Sequence, residues 1–307
     1  MGVLRARWAN AGRLHHRSNA SCIARPDMHC RPTEVAIVGA GLIGGDSLGD
    51  GRDGGKLRIR RAPRTSSEIW FRCPRPIPGA QARLVCFAHA GGSAAAFHSW
   101  TMGPDVEVVG VQYPGRADRF REPFPESLER LGREVGEAIA TLDERPTALF
   151  GHSLGALVAY EAARYLEEIG QAPVHLFASA CRSPQIAESR PPIAGLDDET
   201  LAAELMKMGG TDALVLEDLE LRDLVLPYTR ADFTLLEAYA PSAEPLAVTP
   251  VLALSAIADP YATGAEMAGW SEATRAGFRM ERFAGDHFYL VPRQEEVLAM
   301  LRVALGV

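Results

Sequence analysis

"LFGHSLGAL", Leu149 to Leu157, sets Gly151-x-Ser153-x-Gly155 between two apolar runs. "TALF" (147–150) reads as a short strand, and "LGALVAYEAARYLEEI" (154–169) as a helix. A turn this tight strains the backbone of its central serine, and only small residues fit two places before it and two after. Its effect is to lift the Ser153 hydroxyl clear of the sheet edge, at a helix N-terminus. The stretch predicts a strand, a sharp turn carrying a nucleophile, and a helix.

The same alternation continues on both sides. "RLVCFAH" (83–89) and "VEVVGVQ" (106–112) are compact apolar runs, the mark of strands buried on both faces. "VHLFASA" (174–180), "VLALSA" (251–256) and "FRMERF" (278–283) are further strands. "SLERLGREVGEAIATL" (127–142) places Leu128, Leu131, Val135, Ala138, Ile139 and Leu142 on one helical face. Helices are expected near 264–275 and at 292–304. Strands alternating with helices imply an α/β fold, a mostly parallel sheet flanked by helices. Residues 195–240 break the pattern with two or three helices and no strand. An inserted helical lid, about 190–240, over the C-terminal edge of the sheet is expected, because such folds place their sites there.

A serine hydroxyl needs a base within hydrogen-bond reach and a carboxylate to orient that base. Where a serine stands on such a turn, the chain order is serine, acid, histidine. Two histidines follow Ser153. His175 opens a strand and is read as structural. His287, in "AGDHFYL" between the last strand and the last helix, is the expected base. Asp259, at the end of "LSAIADP", is the expected acid. Asp286 adjoins His287, and adjacent side chains diverge. Asp197, Asp198, Asp212, Asp218, Asp223 and Asp232 fall in the lid and are read as solvated or capping residues. The oxyanion should be held by the N–H of Leu154 and by a second N–H from the loop "FAHAGGS" (87–93), assigned to Ala90. His89 is read as a brace of that loop, its side chain pointing away from the hole. On these residues alone the chain is a serine hydrolase, and an esterase or acyltransferase acting on small-molecule esters stays open.

Five stretches in order, "FAHAGGSAAAFHSW", "VQYPGRADRF", "LFGHSLGALVAYEAARYLEE", "LPYTRADFTLLEAY" and "FAGDHFYL", together resemble the type II thioesterases encoded beside modular polyketide and non-ribosomal peptide synthases. The resemblance runs from about Ile69 to the C-terminus. It implies an α/β-hydrolase with a helical lid and a Ser153–His287–Asp259 triad. It also implies substrates tethered through phosphopantetheine to an acyl carrier or peptidyl carrier protein, and an editing task on stalled or misprimed acyl groups. No metal or cofactor is expected; the phosphopantetheine arm comes with the substrate. The sequence departs from the family where glycines and a second acid commonly precede the aspartate, since here the stretch is "SAIAD". Such carriers tend to be acidic, so docking would need a basic patch, for which Arg116, Arg119 and Arg121 are candidates.

Composition sets the outer bounds. The chain has 307 residues, 47% hydrophobic, with net charge −7. Residues 1–68 carry 12 Lys+Arg against 6 Asp+Glu, whereas the remainder carries 20 against 33. That shift divides the chain near Glu68 into a basic, Gly/Arg-rich extension, expected to be disordered, and the catalytic domain 69–307. The extension has few aromatics and no lysine clusters, so no nucleic-acid partner is expected. It contains "VAIVGAGLIGG" (35–45), with the Gly39-x-Gly41-x-x-Gly44 spacing of an NAD(P) or flavin site. Such a site needs a helix at the glycines and a second strand beyond it. The glycine-dense run that follows cannot supply the helix, because each glycine there is about 1 kcal/mol worse than alanine. Dinucleotide binding is therefore the lesser reading. No run of 18 apolar residues exists, so no membrane span is expected. The early residues lack the short basic start and immediate apolar stretch of a secretion signal. Five cysteines (22, 30, 73, 86 and 181) without metal spacing suit a reduced cytoplasm. A monomer is expected.

Overall fold

The computed structural model describes residues 65–307, apart from 187–189 and 241–243. The fingerprint at 35–45 lies outside the described residues.

Thr65 opens the described chain with a reciprocal cap: its side chain accepts from the Glu68 N–H, and Glu68 returns a bond to the Thr65 backbone. The short helix α1 (Ser66–Trp70) follows, then a two-residue strand β1 (Phe71–Arg72). Six longer strands come next in chain order. They are β2 (Ala82–Phe87), β3 (Val106–Val111), β4 (Thr147–His152), β5 (Leu176–Ser179), β6 (Val251–Ala256) and β7 (Phe278–Phe283). They form one sheet in the order β1-β3-β2-β4-β5-β6-β7, parallel except for β1. Every residue of β2, β5 and β6 is buried, as expected of strands covered on both faces. Each buried Val, Leu or Phe contributes about 1.5–3 kcal/mol relative to exposure.

Two helices illustrate the sequence logic. In α2 (Leu128–Ile139), Leu128, Leu131, Val135, Ala138 and Ile139 are buried, and Ser127 caps the start by accepting from Arg130 N–H. Almost all of the N-terminal part of α3 (Leu154–Glu168) is buried, which suits a helix packed between sheet and neighbours. The lid is the expected insertion between β5 and β6. It comprises α4 (Asp198–Met208), α5 (Ala213–Glu217) and α6 (Leu219–Ala238). Asp197, Asp212 and Asp218 cap the three helices. The expected helix at 264–275 is shorter: α7 (Gly264–Ala268) passes into a 3₁₀ turn over Gly269–Glu272. Helix α8 (Gln294–Leu305) ends the chain on Gly306 in the left-handed conformation.

Topology locates the site. The strand order reverses at β2, which pairs with β3 on one side and β4 on the other. A crevice opens beyond the C-terminal ends of strands at such a reversal. Phe87 is in register with Gly151, so the loop after β2 and the turn after β4 emerge side by side.

Candidate active site

Ser153 joins β4 to α3 with φ 54° and ψ −127°, a region that non-glycine residues enter only under constraint. The constraint is visible in its neighbours. A Cβ on Gly151 would lie 2.2 Å from the Gly155 carbonyl oxygen, and one on Gly155 would lie 2.2 Å from that of Phe87. The peptide N–H of Ser153 is held by the Ser179 carbonyl of β5 at 2.8 Å.

His287 sits in the turn between β7 and α8. Its Nδ1 lies 2.8 Å from Asp259 Oδ2, and both residues are buried. Asp259 follows β6, and its other oxygen accepts the N–H groups of Tyr261 and Ala262 at 2.7 and 3.2 Å. A carboxylate so bonded only accepts, so the His287 proton resides on Nδ1 and the Nε2 lone pair is left free. Asp286 instead takes the Phe288 N–H. His175 stacks on Phe177, away from this site.

Ser153, Leu154, Ala90 and His287 line one cavity of about 510 Å³. Among the described residues, no hydrogen bond joins Ser153 Oγ to His287; both residues line the cavity. Catalytic bonds of this kind often form only once substrate is bound. The N–H groups of Leu154 and Ala90 donate to no other group in the described residues, so both are available to an oxygen in the cavity.

Comparison with known proteins identifies the family. The family model of the thioesterase domain matches residues 82–305. The chain belongs to the thioesterase family. Its similarity to thioesterase PikA5 of Streptomyces venezuelae is 41% identity over 235 residues, covering 75% of this chain and 83% of that one. The type II thioesterase BorB from the borrelidin biosynthetic cluster superposes with a TM-score of 0.70 at 34% identity, covering 79% of this chain and 99% of that one. The RedJ thioesterase from the prodiginine pathway of Streptomyces coelicolor gives 0.69 at 35%, covering 81% and 98%. The chain is a type II thioesterase with the α/β-hydrolase fold, as the five motifs implied.

The rest of the thioesterase site departs from the sequence reading at three points. Asp232 is not a solvated lid residue: it is 1% exposed and holds a two-point ion pair with Arg116, both contacts at 2.6 Å. Arg116 and Arg119 are therefore no part of a basic docking patch. Both are buried, Arg116 against Asp232, and Arg119 against Glu122 and the Trp70 ring. Their charges are spent inside the molecule, and Arg121 alone of the three is exposed. His89 does not point away either. Its ring forms part of the cavity wall and packs edge-on against Phe288 and His152.

A buried polar file beside His287 was also missed. His152 Nδ1 lies 3.0 Å from Ser179 Oγ, which lies 2.8 Å from the Tyr289 hydroxyl, and the His152 ring sits 5.3 Å from that of His287. Burial, with a smaller push from His287, lowers the pKa of His89 to about 4 and that of His152 well below its ordinary value. Both rings are neutral at neutral pH, which leaves His287 beside no competing imidazolium. The signal was present, since His152 lies inside the serine motif, but a motif does not say which way a ring faces. Among the described residues, no group of three or more His, Cys, Asp or Glu could hold a metal ion. No helix among them is long and apolar enough to cross a membrane.

Proposed function

We propose that this thioesterase hydrolyses acyl groups from the phosphopantetheine arm of acyl or peptidyl carrier proteins, clearing stalled or misprimed chains from a modular synthase. One observation carries the reading: a serine on a strained turn and an Asp-oriented histidine share a lidded, largely apolar cavity. Its walls include Ile193, Leu196, Leu205, Met208, Phe233 and Leu236, suited to an acyl chain.

In the proposed mechanism, Ser153 Oγ attacks the thioester carbonyl carbon as His287 Nε2 takes the hydroxyl proton. The carbonyl oxygen becomes an oxyanion facing the N–H groups of Leu154 and Ala90. Each such donor is worth about 3 kcal/mol in the transition state. The carbon–sulfur bond breaks, and the imidazolium returns its proton to the departing thiol. Water then attacks the acyl-serine as His287 takes its proton, and the imidazolium passes that proton to Ser153 Oγ as the acid leaves. Asp259 keeps the imidazole in the required tautomer and steadies its charge. The chemistry calls on no metal or cofactor of the enzyme's own. The positive end of α3 at Leu154 adds to the stabilisation of the oxyanion.

The test offers acetyl-, propionyl- and longer acyl-carrier proteins beside matched oxygen esters, with Ser153→Ala as control. Carrier-bound thioesters should be cleaved preferentially, and the variant should lose about 10⁴-fold or more in kcat. Preference for oxygen esters, or full turnover by Ser153→Ala, would overturn the proposal.

A further inference from the structure

The lid grips the Ala90 loop through a charge. Asp232 lies in the second half of α6, and its Oδ2 accepts the N–H of Gly91 at 2.8 Å. The same carboxylate is clamped by Arg116, from the loop after β3. Arg116 Nη1 also donates to the carbonyl of Gly92 at 3.1 Å. The rings of Tyr228, on α6, and Tyr113 lie 4.9 and 5.4 Å from the guanidinium. Contact between helix and loop is close: Gly91 has φ +77°, and a Cβ there would come 2.7 Å from Thr229 Oγ1 on α6. The two residues that follow Ala90 are thus tied, one by N–H and one by C=O, to a single ion pair.

A buried ion pair is a poor stabiliser in itself, since well-packed apolar residues often replace one without loss. This pair's placement suggests a different task. The Ala90 N–H is useful only if it points at the oxyanion within a few tenths of an ångström. One turn bond inside the loop, from the Gly92 N–H to the His89 carbonyl at 2.9 Å, does not fix the peptide planes at 90 and 91. The glycines at 91 and 92 leave them free to swing unless something outside the loop holds them. We propose that Arg116 and Asp232 are positioning residues that aim the Ala90 N–H, making turnover conditional on α6 being seated against the sheet domain. The inference rests on the reading of Ala90 as an oxyanion donor.

The experiment measures kcat and KM on an acyl-carrier protein for Asp232→Ala, Asp232→Asn and the paired Arg116→Met/Asp232→Leu. Two inhibitors accompany it. A trifluoromethyl ketone forms an oxyanion on Ser153, and a thioether analogue has no carbonyl to polarise. Asp232→Ala should lower kcat about 10- to 100-fold with KM changed less than about threefold. Ketone affinity should fall in parallel, and thioether affinity should hold. Asn keeps an acceptor for the Gly91 N–H and should recover part of the loss. The paired apolar variant should fold and still be slow. Turnover within about twofold of the parent in a folded variant, or a loss confined to KM, overturns the inference. Ser153→Ala in the same assay separates the two levels. If it is dead while the pair variants are fully active, only this inference falls; if it is active, the reading of the site falls first.

Discussion

Two carbonyl oxygens decide what residue 155 can be. A methyl there would sit 2.2 Å from the oxygen of Phe87 and 2.6 Å from that of Ala88, and neither backbone can move aside. Gly155→Ala should therefore lose more than about 3 kcal/mol in urea unfolding, whereas Gly195→Ala, with open space around it, should stay within about 0.5 kcal/mol. At the same scale, Asp259→Asn removes the acceptor that fixes the His287 tautomer, and kcat should fall about 10³- to 10⁴-fold with the fold intact by circular dichroism. Acid should act through different histidines. His89 has its folded pKa lowered from 6.5 to about 4, so the unfolded chain binds the extra proton first. Its contribution to stability is complete above pH 6.5 and is lost as pH falls towards 4, and buried His152 adds to it in the same direction. The melting temperature should drop on the order of 5 °C between pH 7 and pH 5, and His89→Gln should flatten that slope. The strained turn at Ser153 and the Asp259–His287 contact were legible because a local motif and a fixed chain order point to those residues. The Arg116–Asp232 pair was not, because its members lie 116 residues apart and each alone reads as a solvated charge.

Among the elements, the lid stands apart in how it is held. Leu201, Ala202, Leu205, Leu216 and Leu226 form a small core of their own, separate from the main one. Leu214 and Leu219 remain exposed on the same insertion. Leu201→Ala should remove about 2–4 kcal/mol from this cluster alone. Hydrogen exchange should accelerate across α4 to α6 and stay unchanged in β2 and β4, while kcat/KM falls. The insertion was visible in the sequence because it interrupts a strand–helix alternation. Strand β1 was not visible, since two residues cannot display a period of two. The 264–275 helix was overextended because the residues of the 3₁₀ turn continue its polarity pattern, and Gly269 weakens the helix where α7 ends.

At the scale of the whole molecule, charge and glycine content divide the chain near Glu68, yet the capping box at Thr65 and the buried Trp70 belong to the packed body. We propose a basic extension that ends before Thr65 and plays no part in hydrolysis. Deleting residues 1–64 should leave kcat unchanged and the melting temperature within about 2 °C. Deleting 1–70 should lower it by on the order of 5 °C or more, because Trp70 leaves a void and Arg119 loses the ring 4.1 Å beneath it. The basic extension contrasts with an acidic body, so salt dependence of binding to the proposed carrier substrate, compared in the full and shortened chains, tests whether the extension contributes to it. The lid's place in the chain has a wider meaning. Ser153, Asp259 and His287 arrive just after three separate strands, but the apolar walls come mostly from one contiguous insertion. Reaction and taste are thus encoded apart: grafting another relative's segment between β5 and β6 would retune which chains are trimmed while leaving the cutting apparatus in its inherited form.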